Sequence, residues 1–333
     1  MLQKIYVRLL CLIILLIILI IIIFLVNLFN NNLSNKYLWS KRFNTINYYN
    51  VKDTESISDK QTILNQINNS NHYIWIRNTS NNRNIKTDLD YFGELLDNIK
   101  KPIILITSDG DRYVPSSYNS TLVNNILSSS KIIKWYTQNY DRTIIHNKLS
   151  YYPIGLDLHT LKWLNLSYFD KFRSYEMMRY NKFNLYLKSR FKNSNKINKI
   201  FCDSHLSLSH PRRNEMYKIL KNNKLVNFLN EKVDQLYIMK KYSEHRFVLS
   251  PIGNGLDCHR TWEIFLVGSI VITESSPLDE MYIKNNLPVI ILNKFDDLNF
   301  MNFDDLNKLW TKYKNKCNIK NIKERFNPYY WVK

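Results

Sequence analysis

The chain opens on an apolar run, Leu9 to Val26, that no polar residue interrupts. As a helix this run would be roughly 27 Å long, enough to cross the hydrocarbon core of a bilayer. No small-x-small cleavage site follows in Asn27-Leu28-Phe29-Asn30-Asn31, and the run exceeds the apolar core of a signal peptide. It is read as an uncleaved signal-anchor, with a cleaved leader as the competing reading. Lys4 and Arg8 precede it and favour a cytoplasmic N-terminus, although Lys36, Lys41 and Arg42 on the far side reduce the asymmetry. Under either reading the remainder is lumenal or extracellular.

From Asn27 to about Lys60 the chain is polar, Asn-rich and without sustained period, as a stem would be. Short apolar runs then follow at strand length. Tyr73-Ile74-Trp75-Ile76, Ile103-Ile104-Leu105-Ile106-Thr107 and Ile132-Ile133-Lys134-Trp135-Tyr136 predict buried strands. Leu122 to Leu127 predicts a short helix, and the alternation implies an α/β domain. A helical pattern from Leu161 to Leu187 leads to a second region whose first strand is expected over Ile197 to Cys202. Pro211 to Leu220 reads as a helix with Pro in its first turn, and Phe303 to Lys333 contains a further helix. No internal repeat is evident.

The densest signal is Phe247 to Thr273, FVLSPIGNGLDCHRTWEIFLVGSIVIT. Phe247-Val248-Leu249 suits a buried strand that Ser250-Pro251 stops. Gly253-Asn254-Gly255 then allows a positive-φ turn and a close approach of backbone to a ligand. Asp257 is placed to N-cap a helix carrying Arg260, Trp262 and Glu263, and Gly268 suits its C-cap. Unpaired N–H groups at such a helix start attract a diphosphate. Arg260 and Glu263 are three apart and share a face. The guanidinium suits phosphate oxygens and the carboxylate suits ribose hydroxyls; a structural salt bridge is the plainer alternative. Trp262 points away from that face and reads as core.

This stretch, continued by SSPLDEMYIKNNLPVIIL from Ser275, resembles the donor-binding region of exostosin-like glycosyltransferases, glycosyltransferase family 47 and its relatives. They share the phrase F-x-L-S-P-x-G-N-G-x-D-x-x-R-x-W-E. Weaker echoes are Tyr152-Pro153-Ile154-Gly155-Leu156-Asp157-Leu158-His159-Thr160 and His210-Pro211-Arg212-Arg213. The resemblance implies a GT-B fold, two Rossmann-like domains facing across a cleft, and an inverting, metal-independent transfer from a nucleotide sugar, a UDP-sugar foremost. It puts the diphosphate near Gly253, Asn254, Gly255 and Arg260 and the ribose near Glu263; Ser250, Asp257, His259 and Arg212 complete the expected donor-binding set. Ile252, where relatives often carry a basic or polar residue, and the bulky Ile264-Phe265 depart from the pattern. With the resemblance, residues 1–8 are a cytoplasmic tail, 9–29 the anchor, 30–60 the stem, 61–187 the acceptor-side domain, 188–302 the donor domain and 303–333 a helix crossing back.

An inverting transfer needs a base beside the acceptor hydroxyl. Asp111, in the Asp109-Gly110-Asp111 turn after a strand, and Asp157 and His159, in the weaker echo, are the candidates. An ordinary Asp-Gly turn explains the first equally well. His205, His210, Arg212 and Arg213 follow the second region's first strand and are candidates to face the cleft, with a solvated helix face from Pro211 as the alternative.

The 333 residues, 45% hydrophobic and 14% aromatic, suffice for two folded domains. A net charge of +19 would suggest a polyanionic partner. Lys, Asn, Ile and Tyr are all over-used, however, and their codons are AT-rich, so genome composition accounts for much of the excess. Outside the apolar run stand Cys202, Cys258 and Cys317, which allow at most one disulfide. Asn32, Asn68, Asn78, Asn119 and Asn165 begin N-x-S/T sequons. The combined expectation is a type II membrane glycosyltransferase of the Golgi or ER, acting on a glycan or glycoprotein acceptor, paired with a partner glycosyltransferase and binding no nucleic acid. The rival expectations are a non-catalytic protein of the same fold and a membrane-tethered polyanion binder.

Overall fold

The computed structural model describes residues 10–22, 25, 36–43, 59–70, 72–79, 86–158, 175–190, 196–207 and 210–333. Residues 10–22 form an exposed apolar helix, α1. Among the described residues no helix is long and apolar enough to cross a membrane, and the rest of the expected 9–29 segment lies almost wholly outside them.

The first α/β unit runs α2 (Lys60–Asn69), β1 (Tyr73–Arg77), α3 (Asp88–Glu94), β2 (Ile103–Ser108), α4 (Ser120–Ser128), β3 (Ile132–Thr137) and β4 (Leu149–Tyr151). Its strands form a parallel sheet in the order β1-β2-β3-β4. After α5 (Tyr175–Lys188) the second unit runs β5 (Ile197–Cys202), α6 (Pro211–Leu220), β6 (Val226–Phe228), α7 (Gln235–Glu244), β7 (His245–Leu249), α8 (His259–Leu266), β8 (Ile270–Glu274), α9 (Asp279–Lys284) and β9 (Val289–Leu292). These strands are also parallel, in the order β6-β5-β7-β8-β9. The chain closes with α10 (Phe303–Tyr313) and α11 (Ile319–Arg325). The strands expected near residues 73, 103, 132, 197 and 247 and the helix over 211–220 are all present. The short β4 and β6 were not anticipated, because three residues carry too little alternation to register.

Side-chain alternation along each strand divides the interior into three layers. Ile74, Ile76, Ile103 and Leu105 face an outer core beneath α2, α3 and α4. Ile200, Phe247, Leu249 and Ile270 face a second outer core that includes Leu306 and Trp310 of α10. Between the sheets, Trp75, Ile104 and Ile106 share one core with Phe201, Val248 and Val271. The two units are therefore joined by apolar packing as well as by the chain.

Two segments outside the sheets complete that middle core. Residues 36–43, within the expected stem, are folded in: Tyr37 and Leu38 are fully buried, and Trp39 bridges to Gly155. Gly155 is required there, with φ at 68° and space so close that a Cβ would stand 2.4 Å from the Leu38 carbonyl oxygen. The polarity of the surrounding Asn-rich sequence hid this anchor, whose Tyr-Leu-Trp core is only three residues long. At the other end, Trp331 packs edge-on to Trp262 at 5.5 Å, and the Lys333 amide donates to the Tyr136 hydroxyl of β3 at 2.9 Å. The last residues thus reach back to the first sheet.

Candidate functional site

In the second sheet β5 leads to β6 on one side and β7 lies on the other, so the strand order reverses between β5 and β7. The carboxyl ends of two such strands diverge and leave a crevice where open α/β sheets bind ligands. A cavity of about 450 Å3 lies there. The second unit lines it with Asp203 after β5, Arg213 of α6, Gln235 and Tyr242 of α7, the 253–260 loop and Glu263 of α8. The first unit contributes Asp111 after β2 and Ile154 and Asp157 after β4, so the carboxyl edges of both sheets meet across it.

Two guanidinium groups stand at the second unit's wall. Arg260 forks onto Asp203, Nε to Oδ1 and Nη2 to Oδ2, both at 3.2 Å, and Nε also donates to the Tyr242 hydroxyl at 3.1 Å. Burial opposes its charge, yet Asp203 and Tyr242 hold its pKa well above the ordinary value. Arg213 donates through Nη1 to Ser207 Oγ at 2.7 Å and through Nε to the Ile252 carbonyl at 3.3 Å. Burial, and then the neighbouring Arg260, lower its pKa. An anion between the two would relieve that repulsion. The start of α8 adds backbone N–H groups and the positive end of its dipole to the same wall.

Glu263 is buried, 5% exposed, and accepts from Gln235 Nε2 at 3.1 Å. Its pKa is raised by burial and next by the negative charge of Asp157. Lys182 of α5 stands near both carboxyls; its Nζ donates to the Asp157 carbonyl oxygen at 2.6 Å, while burial lowers its pKa. Asp157 and Glu263, one from each unit, thus line the same cavity, with Lys182 near both.

Asp257 does not N-cap α8. Cys258 is the cap residue and makes no side-chain capping bond, because the Asp257 carboxylate turns inward. It accepts from the Ile154 N–H at 2.8 Å and from Trp262 Nε1 at 2.9 and 3.1 Å, tying the two units together. Burial raises its pKa to about 6 against those bonds. The glycines also serve otherwise than expected: among the described residues only Gly155 and Gly268 are glycines with positive φ. Gly255 is needed for close approach, since a Cβ would lie 2.6 Å from Asn139 Nδ2. Asn139 Oδ1 in turn accepts from the Asp257 amide at 2.9 Å. Gly268 ends α8 as expected, with Ser269 N–H donating to the Ile264 carbonyl and Gly268 N–H to Phe265.

Other expected site residues fall elsewhere. Ser250 is 3% exposed and shares a 2.8 Å hydrogen bond with Thr261, wedged between β7 and α8 instead of lining the cavity. Arg212 points away: its Nε and Nη2 grip Glu274 at 2.7 Å each and its Nη1 meets Glu215 at 3.0 Å. Asp109, in the left-handed region at φ 66°, is locked by Lys41 at 3.3 Å and Arg77 at 3.1 Å. His205 stacks on Tyr217, and His210 Nδ1 caps α6 by accepting from the Arg212 amide at 3.2 Å. His159 lies outside the described residues. Gly253, Asn254 and His259 do line the cavity, and His259 Nδ1 meets the Gly155 carbonyl at 2.8 Å, so that nitrogen carries the proton. Cys202, Cys258 and Cys317 are free thiols. The sequon Asn78 is fully buried and donates to the Arg112 carbonyl.

Sequence reasoning missed Asp203, Gln235, Tyr242 and Lys182, and favoured Arg212 over its neighbour. Asp203 had a signal, as the first residue after a predicted strand; the two α7 residues had none.

No protein-family model matches the chain, and no curated protein matches it. Solved structures that overlap it include the OtsA apo structure, at 10% identity over 80% of this chain and 75% of that one, TM-score 0.41. An α,α-trehalose-phosphate synthase (UDP-forming) from Burkholderia vietnamiensis overlaps at 9% identity, 80% and 76% coverage, TM-score 0.39. A structure described as trehalose-6-phosphate from E. coli bound with UDP-2-fluoro glucose overlaps at 10% identity, 80% and 75% coverage, TM-score 0.39. This likeness assigns no role to any residue of the cavity.

Proposed function

We propose that the chain is a nucleotide-sugar-dependent glycosyltransferase of GT-B architecture and exostosin-like kind, tethered to a membrane by its apolar N-terminal segment. The observation that carries this reading is the convergence of Arg213, Arg260 and the start of α8 at the strand-order reversal, with buried Glu263 on the same cavity. Two cations and a helix N-terminus suit a diphosphate. A carboxylate one helical turn along suits the two ribose hydroxyls. Ile252 offers no cation of its own, and Arg213, bonded to the Ile252 carbonyl, supplies one from α6.

In the inverting transfer proposed, an acceptor hydroxyl attacks the anomeric carbon while the bond to the nucleotide phosphate breaks. The proton passes to a carboxylate of the first unit, Asp111 or Asp157. The charge appearing on the departing diphosphate is met by Arg213, Arg260 and the α8 dipole. The acceptor is a glycan or glycoprotein in this reading, and the donor a UDP-sugar.

The test is thermal unfolding of the purified chain with UDP, GDP, CMP and their sugars, alongside Arg260→Ala and Glu263→Ala. Stabilisation by one nucleotide, lost in both variants, is expected. No stabilisation of a folded protein by any of them would overturn the donor assignment.

A further inference from the structure

A second cavity, of about 580 Å3, lies between the units at a place the proposed transfer does not use. It is bounded by β4, the edge strand of the first sheet, by the 140–147 loop, and by α9 with the last residues of the chain. Its size falls within the range of roughly 300–1,000 Å3 that small-molecule sites occupy. None of its lining residues lines the first cavity.

Its chemistry is one-sided. Lys134, Arg142, Lys284 and Lys333 line it against a single acidic side chain, Glu280. That carboxylate is already engaged by Arg142 at 2.6 Å and by Lys284, and the Tyr151 hydroxyl also donates to it at 3.3 Å. The bond from Lys284 and the charge of Arg142 hold the pKa of Glu280 down, so it stays charged, and its ion pairs leave Lys134 and Lys333 unengaged by it. Lys134 is held in place through Nζ to the Asn147 carbonyl at 2.7 Å, and Lys333 Nζ stands 4.6 Å from the Tyr330 ring centroid. The remaining walls are aromatic, with Tyr140, Tyr151, Tyr330 and Trp331. Ile145, 75% exposed, forms an apolar lip.

Flat rings with polar tips and several cations around a half-open cavity suit a ligand that has apolar C–H faces, many hydroxyls and a negative group. We infer that this cavity binds an acidic saccharide of one or two sugar units, bearing a carboxylate or a sulfate ester. A volume of about 580 Å3 suits a short saccharide or a chain end. Occupancy would bridge the two units beside α9.

The test is calorimetric titration of the full purified chain with a glucuronate-containing disaccharide, a sulfated disaccharide, an uncharged disaccharide and inorganic sulfate at equal ionic strength. At least one acidic disaccharide is expected to bind about tenfold tighter than both the uncharged disaccharide and sulfate, and the two acidic arms tell carboxylate from sulfate ester. The double variant Lys134→Ala/Lys284→Ala is expected to lose that preference while keeping its melting temperature and any nucleotide stabilisation. Equal binding of inorganic sulfate, an unaffected double variant, or no saccharide binding would each overturn the inference. None of these results depends on whether the donor-site reading holds.

Discussion

Lys196 offers a stringent test of the packing beneath the second sheet. It is 4% exposed, and its Nζ donates to the Ser243 carbonyl and, at 2.9 Å, to Ser269 Oγ. Among the described residues no carboxylate pairs with it, and burial lowers its pKa from 10.5 to about 7. Between those values the unfolded chain holds a proton on this amine that the folded protein has released. Stability therefore rises with pH across that window, and the penalty is largest below it. Integrating the two titrations gives a gain of roughly 2 kcal/mol from about pH 7 to about pH 9. Lys196→Met keeps the volume and removes the proton. Urea unfolding of both proteins at those two pH values should show wild type gaining roughly 2 kcal/mol relative to the variant. Parallel behaviour of the two would refute the burial argument.

Three further outcomes follow from the site. Arg213→Ala should weaken nucleotide binding about tenfold, the worth of a charge-assisted bond, whereas Arg212→Ala should leave it unchanged; titration calorimetry separates the two. Gly255→Ala would drive a Cβ into Asn139, whose carbonyl oxygen holds the Asp257 amide, and should cost about 1–3 kcal/mol in urea unfolding. Nucleotide affinity should fall on acidification at a pH above the ordinary glutamate range, because burial and Asp157 raise the pKa of Glu263 and a protonated carboxyl loses acceptor capacity. A Glu263→Gln variant with the same pH profile would reject that assignment.

Much of the second unit was legible because its signals are local. A strand-length apolar run, a Gly-x-Gly loop and an Arg-x-x-Glu pair lie within Phe247 to Thr273, and β7, α8 and β8 form where the pattern puts them. The helix over Pro211–Leu220 was equally plain, since Pro211 marks its first turn. What the sequence hid is what depends on distant partners. The choice between Arg212 and Arg213 is a rotation of one residue on a helix, settled by Glu274 some sixty positions away. Asp257 looks like a capping residue until Ile154 and Trp262 are beside it. Asp203 becomes part of the site only once β5 and β7 are neighbours.

The burial of Tyr37 and Leu38 bears on where the protein can work. If the bilayer holds only the uninterrupted apolar run, which ends at Val26 within the proposed 9–29 anchor, residues 27–35 alone would separate it from the folded body. Nine residues reach at most about 32 Å even when fully extended. On so short a leash the point where the folded body begins would stay within about 32 Å of the lipid surface. Acceptors that are themselves held at a membrane would meet the protein at high effective concentration, while freely diffusing glycans would have no such advantage.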